Sequence, residues 1–519
     1  MEIERIAEIE QATWAGRKEL FRLGTALLFI ISIVLFVGTL TDGVSNMLVI
    51  AAIIGGYMAL NIGANDVANN VGPAVGSRAL TLTGAILIAA IFEAAGALIA
   101  GGDVVSTIKS GIINPDLIVD TDTFIWVMTA ALLAGALWLN LATVMGAPVS
   151  TTHSIVGGVL GAGIAAGGLG IADWGKVGQI VMSWLISPLM GGAIAAAFLY
   201  LIKHGIMYQN DRIAAAKRMV PALIGVMGWA FGTYLILKGL KKIVKVDFTT
   251  AILMGLVVGL LVWLISIITV RRSTNNMENT KQALDRLFVV PLIFAAALLS
   301  FAHGANDVAN AVGPLAAISD AVSTGLIASK ASIPVWVMLI GAIGIALGLA
   351  LYGPKLIRTV GSEITELNQT RAYCIALSAA ITVIVATHFG LPVSSTHIAV
   401  GAVFGVGFLR EYIKANYAVM VSEIEHHHQG ADRVEVEAFL ARFESVNLAQ
   451  KGRMIQELKK NKGSVELTKK ERRALKKHYR HELVKRSALL KIAAAWVITV
   501  PVSGFMAAML YFTLRGMML

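Results

Sequence analysis

The sequence predicts an all-α polytopic membrane protein with about 12–13 transmembrane segments and two inverted repeats that contain broken or re-entrant helices. Hydrophobic residues make up 56% of the 519 residues and charged residues only 14%, whereas soluble domains are about a quarter charged. The chain also contains many apolar runs of about 20 residues, the length that an α-helix needs to cross a bilayer. A third observation, a duplicated pair of polar motifs, predicts the repeats.

Thirteen apolar runs are candidate spans. They cover residues 21–40, 44–62, 82–101, 124–145, 147–168, 177–202, 219–237, 248–270, 287–303, 332–353, 372–389, 392–409 and 489–514. Basic residues collect in cytoplasmic loops, so Arg17, Lys18 and Arg22 place the N-terminus inside. The acidic loop 102–123 then lies outside and the basic segment 410–488 inside. The net charge of +11 therefore indicates membrane orientation and not a nucleic-acid partner.

Two polar motifs each occur twice, in the same order. "GANDVANNVGP" covers residues 63–73 and "GANDVANAVGP" covers 304–314, with ten of eleven residues identical. "PVSTTH" covers 148–153 and "PVSSTH" covers 392–397, with five of six identical. The first motif precedes the second by 85 residues in one half and by 88 in the other. This pattern indicates an internal duplication, and the seven crossings between the copies predict that the halves have opposite orientations.

These features divide the chain into six predicted parts. They are an N-terminal cytoplasmic segment with an extra transmembrane helix (1–43), repeat 1 (44–170), connecting transmembrane helices (171–286), repeat 2 (287–409), a basic cytoplasmic insert (410–488) and a final transmembrane helix (489–519). The insert has the charge pattern of a solvated helical segment and contains neither motif.

The first motif places carboxylates next to apolar runs. Gly63, Gly72 and Pro73 are residue types that interrupt helices, so we expect a break that frees backbone carbonyls. Carboxylate and amide oxygens suit a hard cation such as Na⁺, and a carboxylate can take a proton; the alternative is a helix cap or a pair with a lysine. Intramembrane carboxylates are costly and usually functional. The predicted coupling-cation residues are Asn65, Asp66, Asn69, Asn306, Asp307 and Asn310, with Na⁺ held by the aspartates.

The second motif has hydroxyl groups and no negative charge. Proline followed by serine and threonine is typical of a helix start, where hydroxyls and free backbone N–H groups lie together. Such a group suits an oxyanion; the alternative is a pair of N-caps without a ligand. The predicted oxyanion residues are Ser150, Thr151, Thr152, Ser394, Ser395 and Thr396.

Three further residues have open roles. His153 and His397 could donate to the anion, carry a coupling proton or only hold the loop. Glu93 is an acid within an apolar run, where the comparable stretch of the second half offers glycine. Glu93 could be a proton or cation site, or it could pair with a nearby base.

At these residues the sequence resembles the inorganic phosphate transporter (Pit) family. The family's GANDVANA-type signature is similar to residues 63–70 and 304–311, and its PVSTTH-type signature to residues 148–153 and 392–397. The resemblance covers roughly residues 44–410 and the last span. It implies import of inorganic phosphate by symport with Na⁺ or H⁺, with cations at the Asp/Asn motifs and phosphate at the Ser/Thr motifs; some relatives carry sulfate.

Three features depart from the family pattern. The span at 21–40 is additional, the large soluble segment lies before the last span, and Asn70 stands where the family usually has Ala or Ser. Neither the additional span nor the position of the soluble segment affects the predicted site.

The predicted function is secondary active transport of inorganic phosphate by alternating access around a site near the membrane midplane. Na⁺ is favoured over H⁺ because paired Asn and Asp oxygens suit a hard cation. No other cofactor is expected, and the absence of a GxxxxGK[ST] loop gives no support to ATP drive. The expected partners are phosphate and membrane lipid, without nucleic acid and with a homodimer left open, in the inner cell membrane.

Two alternatives accompany this prediction. A permease for sulfate or another oxyanion would use the same scaffold. An intramembrane hydrolase could use Ser150, His153 and Asp66 as a triad. The duplication argues against the hydrolase, because catalysis needs one constellation and this chain has two equivalent half-sites.

Overall fold

The protein is almost entirely helical in this computed structural model. The structure describes residues 2–39, 46–147, 149–239, 246–327, 333–363, 367–414, 431–445, 454 and 486–518. Its α-helices are α1 (Glu2–Thr39), α2 (Asn46–Asn65), α3 (Ala68–Gly76), α4 (Leu82–Ala100), α5 (Gly102–Ser110), α6 (Thr121–Met145), α7 (Thr151–Gly167), α8 (Trp174–Ile202), α9 (Arg212–Lys238), α10 (Phe248–Ser273), α11 (Lys281–Leu287), α12 (Val289–Asp307), α13 (Ala309–Thr324), α14 (Val335–Glu363), α15 (Gln369–His388), α16 (Ser395–Lys414), α17 (Ala431–Ser445) and α18 (Arg486–Met518). Among these described residues, strand-like pairing is limited to an isolated bridge between Ile113 and Ala172.

Eleven helical segments within the described ranges are long and apolar enough to cross a membrane, which confirms the all-α polytopic prediction. Two of the eleven combine helices, α2 with α3 and α12 with α13. The predicted spans 147–168 and 392–409 are not among them. They form α7 and α16, which begin at the Ser/Thr motifs because the polar residues start each helix part-way along the apolar run.

The helix interruptions lie at the aspartates and not at the glycines and proline. Gly63 is inside α2, and Gly72 and Pro73 are inside α3. The backbone turns more tightly at Asp66, where the Asn69 N–H donates to the Asp66 carbonyl three residues earlier at 3.0 Å. The expected break is therefore present, but it lies at this tight turn in the first half and at the matching turn between α12 and α13 in the second.

The two halves pack through the same contacts with their roles exchanged. A Cβ added to Gly63 of α2 would lie 1.9 Å from the carbonyl oxygen of Ile345 in α14. A Cβ added to Gly304 of α12 would lie 2.1 Å from the carbonyl oxygen of Glu93 in α4. Both motif glycines are thus sites of close helix contact, where any side chain would collide with backbone.

The register of this packing identifies the counterpart of Glu93. A second pair of glycines packs in the same way, Gly96 against α12 and Gly348 against α2. A Cβ added to either glycine would lie 1.9 Å from a carbonyl oxygen of the neighbouring helix. Aligning these glycines pairs Glu93 with Ile345, three residues earlier in each helix. The sequence comparison expected a glycine opposite Glu93, and the packing corrects this residue to isoleucine.

The helices α8 and α18 extend the duplicated arrangement. A Cβ added to Gly401 of α16 would lie 2.3 Å from the Pro188 carbonyl oxygen in α8. A Cβ added to Gly157 of α7 would lie 2.7 Å from the Val500 carbonyl oxygen in α18. Each Ser/Thr helix therefore packs on a helix from the other half of the chain, so the paired packing reaches beyond the predicted boundaries 44–170 and 287–409.

Contacts between loops show which helix ends lie on the same side of the protein. Thr121 Oγ1 donates to the Gly325 carbonyl at 3.0 Å, and alternate crossings of the thirteen predicted spans place both loops outside. Gln369 Nε2 donates to the Ser77 carbonyl at 2.9 Å, and the same count places both of these loops inside. These contacts agree with the grouping that loop charge suggested.

A second compact unit covers Gly407–Arg486, separate from the unit formed by Met1–Val406 and Ser487–Leu519. Its longest described element is α17, a helix of 15 residues. Most of the predicted insert 410–488, including 415–430, 446–453 and 455–485, lies outside the described residues.

Candidate functional site

The aspartates of the repeated motif come together at the two helix breaks. Asp66 and Asp307 are 1% and 0% exposed. One ligand atom from each of them and one from His303 lie within 4.8 Å of one another. Two carboxylates this close repel each other unless a cation or proton compensates their charge, so the structure forms one shared centre from the two motif copies.

Each carboxylate accepts hydroxyl hydrogen bonds from both halves of the chain. Asp66 accepts from Thr151 Oγ1 of its own half at 2.6 Å and from Thr396 Oγ1 of the other half. The corresponding donors to Asp307 are Ser395 Oγ at 2.8 Å and Thr152 Oγ1 at 3.4 Å. Four of the six predicted oxyanion residues therefore contact the predicted cation residues directly.

Asn69 and Asn310 contact hydroxyls of this centre through Nδ2 and have unpaired oxygens. Asn69 Nδ2 donates to Thr396 Oγ1 at 2.8 Å, and Asn310 Nδ2 donates to Thr152 Oγ1 at 3.2 Å. Their Oδ1 atoms are buried and have no hydrogen-bond partner among the described residues. A buried acceptor without a partner is costly, and a bound cation would compensate that cost.

Asn65 and Asn306 make a different set of contacts. Asn65 Oδ1 accepts from the Val149 N–H and Asn306 Oδ1 from the Val393 N–H, both at 3.2 Å. Asn65 Nδ2 also donates to the Ala147 carbonyl at 3.2 Å. These side chains fasten the Ser/Thr loops to the Asp helices, a positioning role that the sequence did not indicate; their predicted contact with a cation stays a prediction.

Left-handed glycines lead into both Ser/Thr loops. Gly146 has a φ of 72° and Gly390 a φ of 64°, values that glycine adopts without the steric cost of a Cβ. They turn the chain back so that α7 and α16 begin beside the carboxylates. Pro148, the first residue of the first Ser/Thr motif, lies outside the described residues.

The first serine of each motif is an N-cap. Ser150 Oγ accepts from the His153 N–H at 3.1 Å, and Ser394 Oγ accepts from the His397 N–H at 3.2 Å. The two serine oxygens thus act as helix caps, as the alternative interpretation expected. Their hydroxyl hydrogens are still available to donate to another group.

The two motif histidines stack between tryptophans. The His153 ring lies 3.8 Å from the Trp184 ring and 4.4 Å from the His397 ring, and His397 lies 3.6 Å from Trp496, measured between centroids. Both ring nitrogens of His153 and Nε2 of His397 are buried without a hydrogen-bond partner in the described part of the chain. These rings therefore hold the loops by stacking and leave nitrogens that can donate to a ligand.

Glu93 pairs with a base, one of the roles left open above. Its Oε2 lies 2.7 Å from His303 Nδ1, and its Oε1 accepts from Asn70 Nδ2 at 2.7 Å. His303 Nε2 lies 2.7 Å from Asp307 Oδ2. The sequence reasoning missed His303; the available signal was that the first copy has Ile62 at the same position before the motif.

The geometry does not form the hydrolase triad. Ser150 Oγ accepts a backbone N–H, and the His153 ring stacks on Trp184 without a hydrogen bond to the serine. Asp66 is engaged by threonine hydroxyls and not by that imidazole. The nucleophile–base contact that a triad requires is therefore not formed by these residues.

The site combines groups for two kinds of ion. Buried carboxylate and amide oxygens suit cations, whereas hydroxyls at the N-termini of α7 and α16 suit an anion. A model of the phosphate transporter family matches residues 62–507. The chain belongs to this family.

Named relatives and a solved structure agree with that assignment. A Helicobacter pylori (strain J99) protein with the assigned name phosphate permease is 53% identical over 99% of both chains. A Thermococcus kodakarensis protein of the same assigned name is 41% identical over 70% of this chain and 89% of its own. A solved structure of a sodium-dependent phosphate transporter is 32% identical, with a TM-score of 0.74 over 91% of this chain and 99% of its own. These relatives are transporters by name, which fits the prediction that the chain is not an enzyme.

Proposed function

We propose that this family member imports inorganic phosphate in symport with at least two cations, Na⁺ in preference to H⁺. The observation that carries the proposal is the shared centre, where Asp66 and Asp307 lie together and each carboxylate faces hydroxyls from both halves. Buried like charges need compensating cations. The similarity to a sodium-dependent phosphate transporter supports Na⁺.

Cation binding is assigned to the two carboxylates together with Asn69 and Asn310. Their Oδ1 atoms are buried and have no hydrogen-bond partner among the described residues, and neutral oxygens beside a carboxylate are ligands that a hard cation accepts. A proton would need only the carboxylate, so the two amide oxygens favour Na⁺ over H⁺.

Phosphate binding is assigned to the first turns of α7 and α16. Their hydroxyls and backbone N–H groups can donate to phosphate oxygens, and such charge-assisted hydrogen bonds are strong. Thr151 and Ser395 each have one hydroxyl hydrogen, which an aspartate accepts here. A cation on the aspartate would free that hydrogen to donate to phosphate, so binding of one ion would favour binding of the other.

Alternating access is supported by the paired packing of the two halves. Ser77, just after α3, contacts Gln369 at the start of α15. Asp320, in the last turns of α13, forms an ion pair with Lys109 of α5, with 3.0 Å between Oδ2 and Nζ. Helix α5 in turn contacts the loop after α15. The two helices that follow the aspartates thus leave the centre toward opposite ends of α15, as inverted repeats require.

Uptake into proteoliposomes tests the proposal. With Na⁺ and H⁺ gradients imposed separately, labelled phosphate should accumulate under the Na⁺ gradient, and unlabelled phosphate should compete better than sulfate. Counterflow of unchanged phosphate would exclude hydrolysis. Accumulation under the H⁺ gradient alone would contradict Na⁺ coupling, and stronger competition by sulfate would favour the alternative oxyanion permease.

The proposed location is the inner cell membrane, with the N-terminus and the insert 410–488 in the cytoplasm. The only cysteine, Cys374, is buried, so cysteines added to a Cys374→Ser background report sidedness cleanly. Asp116→Cys should react with an impermeant reagent from outside and Lys281→Cys only after permeabilisation. The opposite pattern would reverse the orientation; a homodimer stays an open prediction for cross-linking to decide.

A further inference from the structure

Most of the site is built twice, but three buried polar residues, which reach Asp307 through His303, have apolar counterparts. The motif alignment and the helix packing define the counterparts. The pairs are Asn70 and Ala311, His303 and Ile62, and Glu93 and Ile345. The three polar residues contact one another, so the departure from symmetry is one connected group and not three separate changes.

This group fixes the His303 imidazole against Asp307. Asn70 Nδ2 donates to Glu93 Oε1, and Glu93 Oε2 lies 2.7 Å from His303 Nδ1. Both Glu93 oxygens are therefore engaged, and moving the imidazole would cost this buried carboxylate its contact with Nδ1. The other ring nitrogen, Nε2, stays 2.7 Å from Asp307 Oδ2.

The contact changes what Asp307 can offer to a cation. Asp307 Oδ2 faces both Ser395 Oγ and His303 Nε2, whereas the side chains that contact the two Asp66 oxygens are threonines. A hydroxyl can rotate its hydrogen away and present a lone pair to a cation. A ring nitrogen 2.7 Å from a carboxylate oxygen leaves no room for a cation between the two atoms, so His303 covers one Asp307 oxygen on that side.

We propose that His303, positioned by Glu93 and Asn70, makes the two cation half-sites unequal. The half-site at Asp66 takes its cation first and with higher affinity. The half-site at Asp307 takes the second cation only when His303 leaves Oδ2. The proposal rests on the proposed cation symport and adds an order of binding to it, with His303 as a positioning residue.

Equilibrium Na⁺ binding to the purified protein tests this order without any transport. Trp184 and Trp496 stack on the histidines of the Ser/Thr motifs, so tryptophan fluorescence can report binding, with choline chloride keeping the ionic strength constant. Titration calorimetry gives the number of sites. In the unmodified protein we expect two sodium ions with dissociation constants that differ by at least about tenfold.

The informative variant copies the residues of the other half: Asn70→Ala, Glu93→Ile and His303→Ile together. The two dissociation constants should then differ by less than about threefold, mainly because the weaker site gains affinity. Glu93→Gln is the milder variant, which keeps the size of the side chain but weakens the hold on His303; it should give an intermediate ratio even if the triple variant does not fold.

Two equal sites or a single site in the unmodified protein would overturn the proposal, as would an unchanged ratio in Glu93→Gln and the triple variant. A complete lack of Na⁺ response in the unmodified protein would be a different failure. It would overturn the proposed coupling ion, and the order of binding with it.

Discussion

The four asparagines that both motif copies share fall into two pairs with different contacts, and substitution should separate them. Asn69→Ala removes a buried oxygen that has no partner, so we expect Na⁺ affinity to fall about tenfold, or about 1.4 kcal/mol. Asn65→Ala removes the clamp on the Val149 N–H and should lower the free energy of unfolding by about 1–3 kcal/mol. Na⁺ titration and thermal unfolding in detergent measure the two effects; the reverse assignment would contradict this division.

The carboxylates themselves should be indispensable for coupling. Asp66→Asn and Asp307→Asn keep the size of the side chain and its acceptor oxygen but remove the charge that compensates a cation. Each should reduce concentrative phosphate uptake to background while the protein still elutes as a folded species. Near-normal uptake by both variants would remove the carboxylates from the mechanism.

Where a pattern was repeated, the sequence singled out residues that the structure brings together. The duplicated motifs pointed to Asp66 and Asp307 before any geometry was known, and the structure brings both together. The crossed contact between Thr396 and Asp66 could not be predicted, because it depends on how the halves pack. His303 was missed because it lies just outside the duplicated motif, where the first copy has Ile62.

The short helix α5, which has no counterpart described in the second half, is held by buried charge. Lys109 pairs with Asp320 at 3.0 Å, with the side chains 4% and 13% exposed. Lys109→Met leaves the aspartate without its partner and should lower the free energy of unfolding by about 3–5 kcal/mol. The added substitution Asp320→Leu should restore most of that loss.

Thermal unfolding in detergent measures this prediction, and Lys281→Met is the matched control because Lys281 is exposed. The control should change stability by less than about 0.5 kcal/mol. Equal losses in Lys109→Met and in the double variant would show that the ion pair does not hold α5.

At the element scale, eleven of the thirteen predicted spans match helices long and apolar enough to cross a membrane, but the helix breaks were misplaced. Glycine and proline suggested interruption at Gly63, Gly72 and Pro73. In the structure Gly63 lies inside a helix, where an added Cβ would collide with the Ile345 carbonyl. Whether a glycine breaks a helix or lets two helices approach depends on a neighbour from distant sequence, which local propensity does not contain.

For the whole molecule, the charge balance sets the number of coupling ions. Moving one charge against 100 mV costs about 2.3 kcal/mol, so divalent phosphate entering a negative-inside cell costs about 4.6 kcal/mol. Two cations cancel that charge, which matches two carboxylates. Uptake measured against Na⁺ concentration at fixed pH and voltage should therefore give a Hill slope above one; a slope near one would count against two sodium ions.

The insert should be dispensable for the transport step. It belongs to a separate compact unit, and neither motif lies within it. A chain with residues 415–485 replaced by a flexible linker should keep the KM for phosphate within about twofold in proteoliposomes. The same deletion combined with Asp66→Asn supplies the inactive control; complete loss of uptake in a correctly inserted deletion protein would contradict the prediction.

The crossed packing of α7 on α18 has a consequence for how the chain is made. Gly157 in α7 meets the Val500 carbonyl, so the ribosome must add more than 300 further residues before this helix finds its neighbour. Until then α7, whose first turn holds hydroxyls of the site, sits in the membrane with one face uncovered. The first half therefore completes its packing only when the last helix has been made. Chains truncated before α18 should be recognised by membrane quality control, even though they contain both copies of both motifs.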